Sequence, residues 1–279
     1  MDETSVNTAD SERIQNALAA LMPTWQVNQI HQFEFLSGGY SNENYRFSYG
    51  GSNYVVRLPT RARSFIDRQL EHDFYQEQQE RIPIPELLAL DVDTGNLLTR
   101  YVPGPLLADE APAIEAIADY LSSLHGALPR SDRHYDPYAL SREYLASGDA
   151  PIPIRKLADG PWAPVQLTAC HNDLNPWNVI QRTPDHWITL DWEWFGQNDP
   201  LFDLVTLHQG MELPEGSLAE LVELWQHAPT DQRRLDNCLI AFWLREFSWA
   251  WAERHHGNAR EEIEVQIQNS KEKLSALLS

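Results

Sequence analysis

The feature that most constrains the fold of this chain is a change in hydrophobic pattern close to Tyr101–Gly104. Before it, residues 32–58 alternate between apolar and polar side chains around Gly50 and Gly51, a pattern typical of antiparallel strands joined by a tight hairpin turn. After it, apolar residues recur at helical spacing. These later helices are predicted at residues 111–127, 218–227, 232–255 and 260–278.

The separation of strand patterns from helix patterns predicts an α+β fold with two lobes, of the kind found in protein kinases. The N-terminal lobe, residues 1–101, is expected to hold a small antiparallel sheet and one prominent helix at 64–80. Residues 1–10 are expected to be flexible. The C-terminal lobe, residues 102–279, is expected to be larger and mainly helical and to carry the catalytic and substrate-binding residues.

Charge and composition narrow the classes of partner. The net charge of −20 disfavours nucleic acid, because a phosphate backbone needs a basic surface, and it would attract a cationic molecule. No apolar run reaches the ~20 residues of a membrane span, and the polar segment Met1–Ser5 is unlike a signal peptide. Only two cysteines are present, Cys170 and Cys238, so we expect a reducing cytoplasmic location. The sequence does not indicate an oligomeric state.

The sharpest chemical signal is a pair of neighbouring motifs. His171 and Asp173 form a His-x-Asp motif with Asn178 five positions after the Asp, and a short predicted hairpin then leads to Asp191 and Glu193. Phosphoryl transfer needs one carboxylate that accepts the proton of the attacking hydroxyl, and oxygen ligands that hold Mg²⁺ against the nucleotide phosphates. Asp173 suits the first role. Asn178 and Asp191 suit the second, because a tight loop and a hairpin return them to the same edge.

These motifs, with the segment Asp191–Leu204, resemble the aminoglycoside phosphotransferase and choline kinase superfamily, which shares the protein-kinase fold. The similarity is greatest to the choline, ethanolamine and thiamine kinase branch and covers roughly residues 33–255. It implies ATP as the phosphoryl donor, Mg²⁺ as the cofactor and the hydroxyl of a small molecule as the acceptor. It also implies that Asp173 is the catalytic base and that Asn178 and Asp191 bind Mg²⁺. The supporting residues that it implies are Glu193 beside the metal or substrate, Asp203 as a brace for the catalytic loop, and His171 as a structural residue.

A second motif spans Leu36–Tyr45. Its paired glycines would let a turn approach phosphates closely, and its polar side chains would donate hydrogen bonds. It lacks the Gly-Lys-Ser/Thr of a Walker A loop, and it resembles the phosphate-covering loop of choline kinases. An ordinary hairpin turn is the alternative interpretation. The nucleotide-binding residues that the resemblance implies here are Gly38, Gly39, Ser41 and Asn42.

Arg57 lies on a predicted strand where protein kinases carry a lysine that holds the nucleotide phosphates. An arginine keeps the positive charge and can grip a phosphate with two donors. Glu71 on the following helix is the predicted ion-pair partner, with Glu77 as the weaker alternative. Tyr101 and Val102 lie in the extended connection between the lobes and are predicted to offer backbone groups to an adenine edge.

The predicted helix at 232–255 carries tryptophans and a carboxylate, a combination that can hold a cationic group. We therefore expect a small cationic alcohol as the acceptor, with choline first, thiamine close behind and an aminoglycoside third. Ethanolamine, homoserine-like and sugar acceptors stay open, and aromatic residues on a helix are often simply core. The residues predicted to contact the acceptor are Trp192, Glu193, Trp243, Glu246 and Trp249.

Two other classes of protein are compatible with parts of the sequence. A nucleotide-binding pseudokinase would keep the fold without turnover, but it would be expected to lack one of Asp173, Asn178 and Asp191, and all three are present. A metal-dependent hydrolase would need further histidine or carboxylate ligands at metal-site spacing, and the sequence does not indicate them.

Overall fold

The computed structural model describes residues 8–36, 41–61, 63, 65–225 and 230–279. These residues form two compact units. The first unit combines the residues up to Pro112 with Pro176–Trp194, and the second combines Ala113–Asn175 with Phe195–Ser279. The predicted lobe boundary near Tyr101–Gly104 stays a prediction. The hydrophobic pattern did not indicate that Pro176–Trp194 belongs with the N-terminal part of the chain.

In the described residues the first five strands precede most of the helices, as predicted, and four further short strands lie between residues 168 and 198. The strands are β1 His31–Leu36, β2 Asn42–Tyr49, β3 Ser52–Pro59, β4 Leu87–Leu90, β5 Leu97–Arg100, β6 Thr168–Cys170, β7 Val179–Thr183, β8 His186–Thr189 and β9 Gly196–Asn198. The helices are α1 Thr8–Leu21, α2 Arg68–Gln78, α3 Ile114–Ala127, α4 Pro137–Leu145, α5 Ile152–Ala158, α6 Pro200–Gly210, α7 Glu215–Trp225, α8 Gln232–His255 and α9 Glu261–Leu277. The α+β class is therefore confirmed.

A five-stranded antiparallel sheet forms the centre of the first unit, in the order β1-β2-β3-β5-β4. The turn between β2 and β3 consists of Gly50 and Gly51, with φ of 57° and 80°. Two consecutive positive φ angles are the requirement of a type I′ turn, whose twist matches that of the flanking strands. The predicted hairpin is therefore present, and it fixes the register that places Arg57 opposite Asn44. On the other side of β3, Arg57 lies opposite Leu97 of β5.

Helix α1 packs on this sheet through its apolar side. Ile14 and Leu18 are buried with Phe47, Val56 and Leu98 in one hydrophobic cluster. The helix begins at Thr8, so residues 8–10 are helical and are not part of the flexible terminus predicted at 1–10. Residues 1–7 lie outside the described part of the chain.

Helix α2 begins at Arg68, four residues later than predicted, because Asp67 caps it. The Asp67 carboxylate accepts the N–H of Leu70 at 2.9 Å, which satisfies one of the unpaired donors of the first turn. The buried side of the helix carries Glu71 and Phe74. A charged glutamate that is buried among apolar side chains is costly unless a cation pairs with it, so we expect Glu71 to pair with a cation on β3.

The predicted hairpin after the catalytic motif is β7–β8, within the first unit. Its strands pair from Val179 with Thr189 to Thr183 with His186. At the open end, beyond the Val179–Thr189 pair, the N–H of Leu190 donates to the carbonyl of Asn178 at 2.8 Å. Asn178 directly precedes β7 and Asp191 comes two residues after β8, so both lie at the open end of the hairpin.

The second unit is built around the 24-residue helix α8, which packs against α4, α6 and α9. Arg234 joins α8 to α6 through a buried two-point ion pair with Asp199, with N–O distances of 2.5 and 3.0 Å. Asp199 also caps α6 by accepting the N–H of Leu201. Of the helices that the structure describes in this second unit, α4, α5 and α6 were not predicted. In α6 every residue from Pro200 to His208 is buried, so one-sided periodicity is missing.

Among the helices of the described residues, none combines the length and the apolar character needed to cross a membrane.

Candidate active site

Arg57 is a buried cation of the first unit with several anionic partners. It is 3% exposed, and its two terminal nitrogens meet the two carboxylate oxygens of Glu71 at 2.6 and 2.9 Å. The ion pair predicted from the sequence is therefore present. Burial disfavours the charged guanidinium, but Glu71 and Asp191 together raise the pKa of Arg57 well above its ordinary value. A permanently charged group is thus held rigidly at the end of β3.

Asp191, predicted as a metal ligand, contacts the same arginine. Its Oδ1 accepts from Arg57 at 2.7 Å, and its Oδ2 accepts from the side-chain amide of Asn42 at 3.5 Å. Its backbone has φ of 56°, a left-handed conformation that turns the chain sharply after β8. Its side chain is 25% exposed, in contrast with the closed environment of Glu71. Asn42, predicted to bind nucleotide, is 4% exposed, and its Oδ1 has no hydrogen-bond partner within the described part of the chain.

The donor set suits Mg²⁺. Asn178 and Asp191 offer an amide and a carboxylate oxygen, the hard ligands that this ion prefers. The Leu190–Asn178 backbone hydrogen bond holds the two residues at one end of the hairpin. Both are partly exposed. The residues of the first unit therefore fit the predicted metal, and Asn178 and Asp191 are those that would hold it.

Glu193 is 3% exposed and lies among arginines. Its Oε2 accepts from Arg68 at 2.8 Å and is 3.9 Å from Arg57, while its Oε1 is 3.8 Å from Arg63. Burial raises the pKa of Glu193, and the three guanidinium groups lower it by more, so that it lies below its ordinary value of 4.5. Arg68 also contacts Glu71 at 2.7 Å. The negative charge of Glu193 is already balanced by these arginines. This contradicts the prediction that Glu193 faces a cationic substrate.

Trp192 is a core residue of the first unit. It is 0% exposed, it stacks on Phe74 with ring centroids 4.3 Å apart, and its indole N–H donates to the Thr189 carbonyl. A ring that is completely buried has no accessible face for a ligand. This burial contradicts the prediction that Trp192 contacts the acceptor.

The other residues that were predicted to bind the nucleotide lie in three parts of the chain. Gly38 and Gly39 lie outside the described residues. Ser41 accepts two hydrogen bonds from Thr60 at its backbone carbonyl, which ties the start of β2 to the end of β3. Tyr101 and Val102 are half-buried after β5, and the Tyr101 N–H donates to the carbonyl of Asn53 at 3.0 Å. This N–H is therefore engaged by the chain itself, which leaves Val102 as the better candidate for an adenine contact.

Asp173 lies in the second unit, on a loop fixed by Asp203. The two oxygens of Asp203 accept the backbone N–H groups of Asn172 at 2.7 Å and His171 at 2.8 Å, and one also meets His125 Nε2 at 3.1 Å. Burial raises the pKa of Asp203, but the hydrogen bond from His125 and the charge of its partners lower it below 3.8. The bracing geometry predicted for Asp203 is present. His171 contributes through Nδ1, which accepts the N–H of Asp173 at 3.2 Å and makes it part of the loop scaffold.

A buried group of possible metal ligands lies beneath this loop. His125, Cys170 and Asp203 offer ligand atoms within 4.8 Å of one another. The oxygens of Asp203 already accept from the loop and from His125, and burial raises the pKa of the Cys170 thiol well above 9.0. A protonated thiol is a poor ligand. We therefore assign this cluster to support of the loop.

Arg245 on α8 was not singled out from the sequence, although it contacts the predicted catalytic base. Its Nη2 lies 3.4 Å from Asp173 Oδ1 and 2.9 Å from Glu246 Oε1. The other Glu246 oxygen accepts from Gln266 on α9 at 3.0 Å. Burial and the charge of Asp173 raise the pKa of Glu246 against the lowering effect of Arg245. A single arginine within the apolar run Ala241–Phe247 was the signal in the sequence that could have identified it.

The tryptophans of α8 differ in accessibility. Trp243 is 5% exposed and meets the ring of Phe242 edge-on at 4.8 Å, so it is a core residue. Trp249 is half-buried and Glu246 is 20% exposed. Of the predicted acceptor contacts, only Trp249 and Glu246 keep the accessibility that the role requires.

Comparison with known proteins identifies the family of this chain. Residues 32–238 match the family model described as the phosphotransferase enzyme family, APH. This match covers most of the chain, and the protein therefore belongs to the phosphotransferase enzyme family.

Three of the similar proteins illustrate the extent of the resemblance. Protein LicA of Haemophilus influenzae is 28% identical over 216 residues, which are 70% of this chain and 63% of LicA. The chain thus spans less than two thirds of the length of that relative. Choline kinase LicA from Streptococcus pneumoniae has a TM-score of 0.74 at 19% identity, covering 96% of this chain and 100% of that one. A choline/ethanolamine kinase family protein from Mesorhizobium loti has a TM-score of 0.71 at 22% identity, covering 96% and 95%. These structures confirm the predicted kinase-like fold.

Proposed function

We propose that this protein is an ATP- and Mg²⁺-dependent phosphotransferase that phosphorylates the hydroxyl of a small cationic metabolite, with choline as the first candidate. The observation that most supports phosphoryl transfer is the convergence of Arg57, Glu71 and Asp191 in the first unit. A buried, permanently charged arginine beside a partly exposed carboxylate can hold both parts of a metal–phosphate complex. A cytoplasmic location, as expected from the sequence, belongs to the same proposal.

In this proposal the first unit binds the phosphates. Arg57 donates to phosphate oxygens through the nitrogen that now reaches Asp191, while Glu71 keeps the guanidinium plane in place. Asn42 and Ser41 contact the nucleotide near the same strand ends, and Asn178 and Asp191 hold the metal. Bound Mg²⁺ would neutralise part of the negative charge that develops on the transferred group.

The second unit supplies the base. Asp173 accepts the proton of the acceptor hydroxyl at its carboxylate as the oxygen attacks the γ-phosphorus, and the bond to the departing ADP breaks. The side chain of Asp173 is 27% exposed, so an acceptor can reach it. Asp203 and His171 hold the backbone N–H groups of residues 171–173, which positions the carboxylate before the substrate arrives.

The acceptor assignment rests on three supports. The net charge of −20 attracts a cation, Trp249 and Glu246 are accessible on α8, and the LicA protein of Streptococcus pneumoniae is described as a choline kinase. A cation on a tryptophan face gains about 0.5–2 kcal/mol that a neutral alcohol does not. Thiamine and an aminoglycoside are the next acceptors to test.

The test is ADP release with Mg-ATP across a panel of alcohols, with the phosphorylated product identified by mass spectrometry. The panel contains choline, thiamine, ethanolamine, an aminoglycoside, a neutral sugar and 3,3-dimethylbutanol, the uncharged isostere of choline. The expected result is rapid product formation with choline or thiamine and slow turnover of the isostere. Faster turnover of neutral sugars than of every cation would reject the cationic acceptor and leave phosphoryl transfer intact. Nucleotide binding without product from any alcohol would support the pseudokinase alternative.

A further inference from the structure

Arg245 connects the loop of the predicted base to helix α8. It is 6% exposed, and its Nη1 donates to the backbone carbonyl of Asn172 at 2.6 Å. Its Nε and Nη2 donate to Glu246 Oε1 at 3.1 and 2.9 Å, and Nη2 lies 3.4 Å from Asp173 Oδ1. The Tyr135 hydroxyl lies 3.5 Å from Nη1. The guanidinium is therefore held by several partners, and one of them is the predicted catalytic carboxylate.

Two aromatic rings set the position of this guanidinium. Its central carbon lies 5.3 Å from the ring centroid of Phe202 and 5.6 Å from that of Phe242. These rings exclude water, and they strengthen the interactions of Arg245 with its anionic partners. A charge placed in such surroundings is costly unless it is paired. The packing thus leaves Arg245 little freedom to move away from Asp173.

The residue before the predicted base is tied at both of its peptide groups. The N–H of Asn172 is held by Asp203, and its carbonyl is held by Arg245. Asn172 has φ of 70°, a left-handed conformation that a non-glycine residue adopts at a cost. The bond from Arg245 opposes relaxation of this strained turn, on which the direction of the Asp173 side chain depends.

The same guanidinium separates two carboxylates. Asp173 and Glu246 both approach its Nη2, at 3.4 and 2.9 Å. Without the cation the two negative charges would repel each other in a partly buried setting, and the Asp173 carboxylate would turn away from Glu246.

We propose that Arg245 is a positioning residue for phosphoryl transfer, which holds the Asn172 carbonyl and directs the Asp173 carboxylate towards the acceptor hydroxyl. This inference rests on the proposed function. Arg245 acts through Asp173 and does not itself touch the reacting atoms.

The test compares Arg245→Met, Arg245→Lys and a matched control, Arg234→Met. Arg234 is also a buried arginine of α8 in a two-point pair with a carboxylate, but its partner is Asp199. For Arg245→Met we expect kcat to fall about 10²-fold, as for other small displacements of a catalytic group, with KM for ATP unchanged. Arg245→Lys should have a higher kcat than Arg245→Met, because an ammonium keeps the positive charge. It should stay below wild type, because an ammonium lacks the planar set of donors that binds the Asn172 carbonyl and the two carboxylates together. Arg234→Met should lose stability and keep the kcat of the folded protein.

Amide hydrogen exchange provides a measurement that does not depend on turnover. Exchange at residues 171–175 should be faster in Arg245→Lys than in wild type and unchanged in Arg234→Met. Equal kcat in wild type and Arg245→Met would overturn the inference, as would a loss matched by Arg234→Met. If Arg245→Met does not fold, Arg245→Lys decides by the same criteria. If wild type phosphorylates no alcohol, the proposed function fails, and unchanged exchange at 171–175 would then reject the anchoring role separately.

Discussion

Replacement of Asp203 by asparagine tests how the loop of the predicted base is held. Asp203 is 0% exposed, and its oxygens accept from the N–H groups of His171 and Asn172 and from His125. An asparagine of the same shape keeps one acceptor oxygen and turns an amino group towards the donors that the other oxygen served. At least one buried backbone N–H then loses its partner.

The magnitude follows from these contacts. A hydrogen bond to a charged group contributes about 1.5–3 kcal/mol, and an unsatisfied buried donor costs about 1–3 kcal/mol. Asp203→Asn should therefore lower the free energy of unfolding by about 3–5 kcal/mol, a value within the range for breaking a buried charged network. The freed loop should also lower kcat by about 10²-fold, because Asp173 follows the two anchored residues directly.

Urea unfolding and steady-state kinetics measure the two effects, with Asp199→Asn as the control. Asp199 is also a buried aspartate, and its contacts with Arg234 and Leu201 do not include the loop. This control should lose stability and keep the kcat of the folded protein. The difference in stability between wild type and Asp203→Asn should shrink as the pH falls below 3.8, because a lowered pKa stabilises only while the folded carboxylate stays ionised. Equal losses of kcat in both variants, or wild-type stability of Asp203→Asn, would refute this reasoning.

Three further predictions concern other parts of the molecule. Glu71→Gln removes one partner of the buried Arg57 pair and should lower stability by about 3–5 kcal/mol, as measured by urea unfolding, while titration calorimetry shows weaker ATP binding. Asp191→Ala should abolish the dependence of ATP affinity on Mg²⁺ in titrations with and without the ion, and an unchanged dependence would count against its role as a ligand. Burial lowers the pKa of His208 to about 4. This histidine therefore becomes protonated near pH 6.5 in the unfolded chain and only near pH 4 in the folded chain. Stability should therefore decrease as the pH falls below 6.5, and His208→Asn should show a flatter pH profile in thermal unfolding, whereas an identical profile would contradict the shift.

Local patterns predicted the parts of the fold that depend on neighbours in sequence. The β2–β3 turn follows from Gly50 and Gly51, whose positive φ angles suit glycine. Helix α8 follows from its apolar spacing. Helix α6 was not predicted, because a helix buried on all sides has no polar face to reveal its period. The grouping of Pro176–Trp194 with the N-terminal part depends on tertiary contacts, which no local pattern shows.

The same distinction applies to the functional residues. The Arg57–Glu71 pair joins residues 14 apart on adjacent elements, so strand and helix placement was sufficient to predict it. The contacts of Arg68 with Glu193 and of Arg245 with Asn172 span 125 and 73 residues. These distant cations decide which carboxylates are neutralised. Without them the sequence assigned Glu193 to a cationic substrate, and the arginines around it exclude that role.

The most direct test of Asp173 as the catalytic base of phosphoryl transfer is a single-turnover measurement of wild type and Asp173→Asn. ATP affinity is measured in parallel by titration calorimetry. The asparagine keeps the shape of the side chain and cannot accept the hydroxyl proton. The rate of product formation should fall by about 10²–10⁴-fold, the range for loss of a general base, while the dissociation constant for ATP stays close to that of wild type. A near-normal rate of transfer in Asp173→Asn would contradict the assignment of Asp173 as the catalytic base.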